Sequence, residues 1–127
     1  MINKETEVFS FVADKLRNKF KSIYVIGTEL SATPPKFPAV SIVQSNNAIN
    51  ETYTTFNSFE NVAKEDFKVE VYSNLEKGKE AQAMEVTSVI SDAMSELGYV
   101  RTFCEPIPNA DSTVYRRVSR YRKNNVI

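Results

Sequence analysis

The stretch Lys79–Leu97, KEAQAMEVTSVISDAMSEL, decides how this chain folds. Its apolar residues recur at steps of three and four, as on one stripe of a helix: Ala83, Val86, Ile90, Ala93 and Leu97. Gly98 follows directly, and a left-handed glycine commonly ends a helix at that place. The pattern predicts a helix that ends at Gly98 and packs through this stripe, with Met84 and Met94 as further packing residues.

Alternating segments lie on both sides of this helix. Phe67, Val69 and Val71 share one face of a strand predicted over residues 65–72. After the helix, Tyr99, Arg101 and Phe103 alternate in the same way and predict a strand over residues 99–105. A helix flanked closely by two strands needs a sheet to cover, so these three elements are expected to pack together.

A first helix is predicted near the start of the chain, with Asn3 or Thr6 as its cap and an end near Lys21. Its apolar face consists of Val8, Phe9, Val12, Leu16 and Phe20. The run Ile23–Ile26 is short, β-branched and followed by Gly27. It predicts a buried strand, and the alternative is a continuation of the first helix.

The next part of the chain alternates between loops and strands. Residues 28–38 contain three prolines and predict a surface loop, and residues 39–44 predict a strand with Val40 and Ile42 on one face. Residues 45–50 are rich in Ser and Asn and predict turns.

The segment 51–63 is rich in Thr, Asn, Tyr and Phe, with few aliphatic residues. It can pair as a strand but offers little to a core, so we interpret residues at about 46–62 as a polar hairpin arm. Beyond the strand at 99–105, the turn Pro106–Asp111 should reverse the chain, and a last strand over 113–122 should pair back beside that strand.

These elements define the fold class. A chain of 127 residues, 42% of them hydrophobic, is long enough for one sheet covered by helices and too short for two independent cores. We therefore expect a single domain over residues 1–127, of the α+β class. It should contain a mostly antiparallel sheet of about five to six strands with two helices packed on one face.

Composition narrows the classes of function. The formal net charge is +0, so the whole molecule exerts no long-range attraction on nucleic acid or anionic lipid. No run approaches the length of a membrane span, and the first twenty residues carry charges instead of an apolar signal core. With no histidine and Cys104 as the single cysteine, triads that need an imidazole and common zinc sites are excluded. We expect a protein that is not an enzyme and uses no cofactor or metal, and Cys104 is predicted to be a small core residue.

The C-terminal strand concentrates positive charge. Residues 101–127 contain six basic and two acidic residues, and alternation places Arg116, Arg120 and Arg122 on one face and Arg117 on the other. Such a strand is expected at the edge of a sheet or under a partner. One hypothesis is that the arginines contact phosphates while Tyr115 and Tyr121 stack on bases. The other, favoured by the neutral net charge, is that they pair with acids of the same or a neighbouring subunit.

Three acidic residues, Glu65, Asp66 and Glu70, lie on or before the strand at 65–72. A restriction-type nuclease metal site needs a lysine two residues after its strand glutamate, and here that residue is Tyr72. The acids are therefore predicted to be solvated strand residues.

Several motifs, in their order along the chain, resemble the small neck proteins of tailed bacteriophages, and in particular the tail terminator (tail completion) proteins of siphophages and prophages. The motifs are Phe37-Pro38-Ala39-Val40, Val69-Glu70-Val71-Tyr72-Ser73-Asn74, Gly78-Lys79-Glu80-Ala81, Met94 with Gly98-Tyr99, Pro106-Ile107-Pro108-Asn109, and Tyr115-Arg116-Arg117-Val118-Ser119-Arg120-Tyr121. The likeness extends from about Phe9 to Tyr121.

The resemblance implies an α+β fold, monomers that close into a homo-oligomeric ring, a hexamer on assembly, and a place in the virion at the junction between head connector and tail tube. The implied partners are other copies of the chain, the tail tube protein and the head connector protein, with assembly in the host cytoplasm and neither membrane nor specific nucleic acid involved. A head-completion protein of the same neck, a nucleic-acid-binding module and a small enzyme remain as alternatives. The candidate interface residues are Asn47, Tyr53, Phe56, Arg116, Arg117, Arg120 and Arg122.

Overall fold

The computed structural model describes residues 5–28, 34–49, 62–107 and 113–126. Two helices and five strands lie within these ranges. In chain order they are α1 (Glu5–Lys19), β1 (Tyr24–Ile26), β2 (Ala39–Ile49), β3 (Val62–Ser73), α2 (Lys79–Glu96), β4 (Val100–Ile107) and β5 (Tyr115–Val126).

Helix α2 ends as its sequence predicts. Gly98 has φ +89°, and its N–H donates to the carbonyl of Ser95 at 2.9 Å. The N–H of Tyr99 donates to the carbonyl of Met94 at 2.9 Å, which completes a Schellman motif. This cap satisfies carbonyls at the end of α2 and turns the chain into β4.

The strands form one sheet in the order β1-β2-β3-β5-β4. The pairing of β1 with β2 is parallel, and every other pairing is antiparallel. Both helices pack on the face that carries Phe67, Val69 and Val71, which we call the inner face; the opposite side is the outer face. The α+β class, the mostly antiparallel sheet and the two helices on one face are thereby confirmed.

The core lies between the two helices and the inner face. From α2 it takes Ala83, Val86, Ile90 and Ala93, all buried as the apolar stripe predicts, and from the sheet Val40 and Ile42 in addition to the three inner residues of β3. Helix α1 supplies Val8, Val12 and Leu16. Met94 is buried, whereas Met84 is 50% exposed, so the prediction that both methionines pack in the core is wrong for Met84.

Strand β2 is longer than predicted. It continues to Ile49 through residues 45–49, where turns were expected, because a bulge between Gln44 and Asn46 resets its pairing with β3. The ladder to β3 then satisfies the backbone of this polar segment. Residues 50–61, which include most of the predicted arm, lie outside the described residues.

Strand β4 also carries a bulge, between Arg101 and Phe103. Arg101 lies opposite Tyr121 on the inner face, and Phe103 lies opposite Arg120 on the outer face. The prediction that Arg101 and Phe103 share one face is wrong, because Thr102 is an extra residue that shifts the alternation.

Strand β5 lies between β3 and β4 and is not an edge strand. It pairs with β3 at twelve positions, from Ser73 opposite Tyr115 to Val62 opposite Val126. The base of the predicted arm is therefore three strands wide, formed by β2, β3 and β5.

Candidate functional site

Strand β5 distributes its four arginines over both faces of the sheet. Arg116, Arg120 and Arg122 lie on the outer face, opposite Tyr72, Lys68 and Asp66 of β3. Arg117 lies opposite Val71 on the inner face. This separation is the one that strand alternation predicts, and it means that the four residues do not form one continuous basic surface.

Glu70 is the centre of a polar network on the outer face. Its Oε2 accepts hydrogen bonds from the Arg116 Nε at 2.6 Å and from the Tyr72 hydroxyl at 2.8 Å. The Lys68 Nζ lies 3.3 Å from its Oε1. Glu70 is 4% exposed, so the prediction that it is solvated is wrong. Its neighbours shield it because β3 and β5 bring Arg116 alongside it from the far end of the sequence.

The network sets the ionisation of its members. Burial alone would raise the pKa of Glu70, but the hydrogen bonds from Tyr72 and Arg116 outweigh it and hold that pKa below its usual value. Burial and the hydrogen bond to Glu70 together raise the pKa of Tyr72 to about 12. At neutral pH the carboxylate is therefore charged and the phenol remains a donor.

Arg122 and Asp66 form a second ion pair on the outer face. The Nε and Nη2 of Arg122 donate to the two carboxylate oxygens of Asp66 at 2.7 and 3.3 Å. The Arg122 side chain is 47% exposed, so solvent screens this pair and its contribution to stability is small. With Arg116 and Arg122 both paired to acids of the same chain, fewer guanidinium groups on this face are available to phosphates.

Arg120 is the remaining outer-face arginine. It is exposed, and its guanidinium group makes no hydrogen bond or ion pair with the part of the chain that the structure describes. Its cross-strand neighbour on β3 is Lys68, a residue of the same charge. Like charges directly opposite each other on a sheet are unfavourable, so this arrangement is not explained by the stability of the single chain.

Replacing Arg120 with glutamate is expected to leave the free energy of unfolding unchanged or to raise it by about 0.5 kcal/mol, because a cross-strand repulsion becomes an attraction. Urea unfolding of both proteins measures the difference. The matched control is Arg17→Glu, on the exposed surface of α1. A clear destabilisation by Arg120→Glu would show that Arg120 has a structural role in the single chain.

On the inner face, Arg117 contacts Cys104 and Tyr115. Its Nε lies 3.3 Å from the Cys104 Sγ, and its Nη1 donates to the Tyr115 hydroxyl at 3.2 Å. The hydrogen bond to Cys104 raises the pKa of Arg117, so the guanidinium stays charged. Cys104 is partly exposed, which corrects the prediction of a core residue: the β4 bulge turns it inward, but neither helix covers it completely.

The predicted arm residues are only partly within the described chain. Asn47 lies in β2 opposite Glu65 of β3. Tyr53 and Phe56 lie outside the described residues. The structure therefore places Asn47 in β2, and the predicted arm interface remains a hypothesis.

Glu65 has a structural role that the sequence did not reveal. It is 0% exposed, which corrects its prediction as solvated, and its Oε2 accepts a hydrogen bond from the Tyr99 hydroxyl at 2.5 Å. Its Oε1 has no hydrogen-bond partner among the described residues. Tyr99 packs edge-on against Phe67 with ring centroids 5.4 Å apart, and Lys123 donates to the Leu97 carbonyl at 2.7 Å. These contacts join the end of α2 to the adjacent parts of β3 and β5.

The Tyr99→Phe substitution is expected to lower the free energy of unfolding by about 1 to 3 kcal/mol. It keeps the ring but removes the hydroxyl that satisfies the buried Glu65 carboxyl. Urea unfolding measures the change, and the double variant Tyr99→Phe/Glu65→Gln should lose less than the sum of the two single variants. Additive losses would show that the two side chains are not coupled.

The described residues contain no group of three His, Cys, Asp or Glu side chains placed to hold a metal ion. No helix in the described ranges is long and apolar enough to cross a membrane. No protein-family model matches the chain, and no curated protein matches it.

Proposed function

We propose that this chain is a structural virion assembly protein of a tailed phage, which forms an oligomeric ring at the head-tail junction. In this role one face of the ring caps the last ring of the tail tube, and the other face joins the tube to the head connector. Each copy would contact its neighbour through unlike surfaces, so that the rotation between copies closes a ring. The link to phage necks rests on the motifs that resemble those proteins.

The observation that carries an interface role is the arrangement around Arg120 on the outer face. Neither helix covers this face, and Arg120 lies exposed beside Lys68 without an acidic partner in the described chain. An exposed arginine without an acidic partner can pair with a carboxylate of another molecule, as charged groups do across a protein interface. The neighbouring ion pair of Arg116 with Glu70, which is largely buried, restricts these two side chains and so lowers the entropy lost on binding.

The test uses Arg120→Glu in the phage or prophage that carries the gene, with Arg17→Glu as the matched control on α1. Arg120→Glu should fold normally and yield unjoined heads and tails, with tails of irregular length, whereas the control should yield normal particles. Electron microscopy of lysates gives the particle counts. Normal particles from a folded Arg120→Glu protein would contradict the proposed role of this face.

A binding assay separates this proposal from a nucleic-acid-binding module. If the strand bound DNA through several phosphates, the affinity of the parent protein for a short duplex would fall steeply with salt. A neck protein should show no specific binding to such a duplex and should assemble into rings, which light scattering and electron microscopy detect. Salt-sensitive DNA binding that Arg120→Glu abolishes would favour the nucleic-acid alternative.

A further inference from the structure

A cleft of about 310 Å³ lies on the helix side of the sheet, between α2 and the strands β4 and β5. It exists because α1 and α2 cover β2, β3 and part of β5, while the inner face of β4 extends beyond α2. Its lining consists of Met84, Thr87, Ser88, Ser91, Asp92, Arg101, Cys104 and Arg117.

Several donors in this cleft are not used within the described chain. The Nε and Nη1 of Arg117 contact Cys104 and Tyr115, and its Nη2 makes no hydrogen bond with a described residue. The Arg101 guanidinium group makes no hydrogen bond or ion pair with any described residue, although Asp92 lines the same cleft. The hydroxyls of Thr87 and Ser91 are occupied by the Ala83 carbonyl and the Tyr121 hydroxyl. The cleft therefore has a net positive charge, because it contains the two guanidinium groups of Arg101 and Arg117 and only one carboxylate, that of Asp92.

An apolar contact lies at the side of these charges. Met84 is 50% exposed and lines both this cleft and a neighbouring groove of about 520 Å³ that includes Tyr115. Arg, Met and Tyr are enriched at protein interfaces. A polypeptide can place a carboxylate against the arginines and an apolar side chain against Met84 at the same time. A small inorganic anion supplies the negative charge but no apolar group.

We propose that this cleft is a docking site for an acidic segment of another polypeptide, with a carboxylate bound by Arg101 and Arg117 and an adjacent apolar side chain packed on Met84. The positive charge of the cleft on the inner face of the sheet is complementary to the negative charge of such a segment. The proposed docking site goes beyond the proposed ring, which is argued from Arg120 on the outer face.

The test uses the full chain and a fluorescein-labelled peptide that contains two adjacent glutamates followed by a leucine. The matched peptide has glutamines in place of the glutamates. Fluorescence polarisation measures binding, and alkylation of Cys104 by iodoacetamide reports occupancy of the cleft, since Cys104 lines it and is the single cysteine. The acidic peptide should bind and slow alkylation, while the glutamine peptide should do neither.

Arg101→Gln should weaken binding about tenfold or more, because it removes one of the two guanidinium groups. Arg120→Gln is the matched control: it removes an exposed arginine from the opposite face and should leave binding unchanged. Arg101 is exposed, so its loss should not unfold the protein, and a thermal melt verifies this.

Four results would overturn the proposal. The two peptides could bind equally, or Arg120→Gln could weaken binding as much as Arg101→Gln, and either result would mean that the cleft is not the site. Inorganic phosphate could protect Cys104 at the concentration at which the peptide does, which would indicate a small-anion site. The protein could self-associate in a way that Arg101→Gln abolishes, which would make a second copy the occupant.

Discussion

Replacing Glu70 with alanine is expected to lower the free energy of unfolding by about 3 kcal/mol. The carboxylate is 4% exposed and is the anion that Arg116 and Lys68 share. Its removal leaves two cations close together on a half-buried surface and takes away the acceptor of the Tyr72 hydroxyl. Urea unfolding at neutral pH measures the loss, and Glu76→Ala, at an exposed position before α2, is the matched control and should change stability by less than about 0.5 kcal/mol.

The loss of stability in Glu70→Ala should depend on pH, because Glu70 stabilises the fold only in its charged form. The pKa of Glu70 is lower in the folded protein than its usual value of 4.5, so its stabilising effect is complete above about pH 4.5 and is lost as the pH falls through the folded value. The difference between the parent protein and Glu70→Ala should therefore narrow in acid. A difference that is the same at pH 7 and pH 3 would show that the effect comes from lost packing and not from the charge.

The Ile90→Ala substitution should destabilise the protein by about 2 to 5 kcal/mol, the range for deletion of a fully buried aliphatic side chain. Ile90 is 0% exposed and lies in the core cluster with Val69 and Val71. Denaturant unfolding measures the change, with Ser88→Ala on the exposed side of α2 as the matched control. A loss below about 0.5 kcal/mol for Ile90→Ala would mean that the helix does not pack through this stripe.

The parts of the fold that follow from local periodicity could be predicted from the sequence. The stripe of α2, the cap at Gly98 and the alternation of Phe67, Val69 and Val71 depend on residues within one or two turns or strand repeats of each other. The prediction that Arg117 lies on the opposite face of β5 from Arg116, Arg120 and Arg122 depends only on strand alternation, and it is also confirmed.

The parts that depend on distant pairings could not be predicted. Glu70 is buried because Arg116, 46 residues away in the chain, lies beside it, and Glu65 is buried because Tyr99, 34 residues away, donates to it. Both acids were predicted to be solvated because they lie in an alternating strand. The sequence does not indicate the strand order that places Arg116 and Tyr99 beside them. The position of β5 inside the sheet, which follows from the same strand order, was missed for the same reason.

The extra residue in β4, Thr102, determines where this strand can lose a residue without exchanging its two faces. Thr102 is the residue by which β4 exceeds its partner between Arg101 and Phe103. A chain without Thr102 would pair regularly with β5 and would still present Arg101 inward and Phe103 outward. An insertion or deletion of one residue between Phe103 and Cys104 would instead turn Cys104 to the outer face, away from Arg117. Position 102 is therefore where β4 can lose a residue and still keep the cleft and the outer face on their own sides of the sheet.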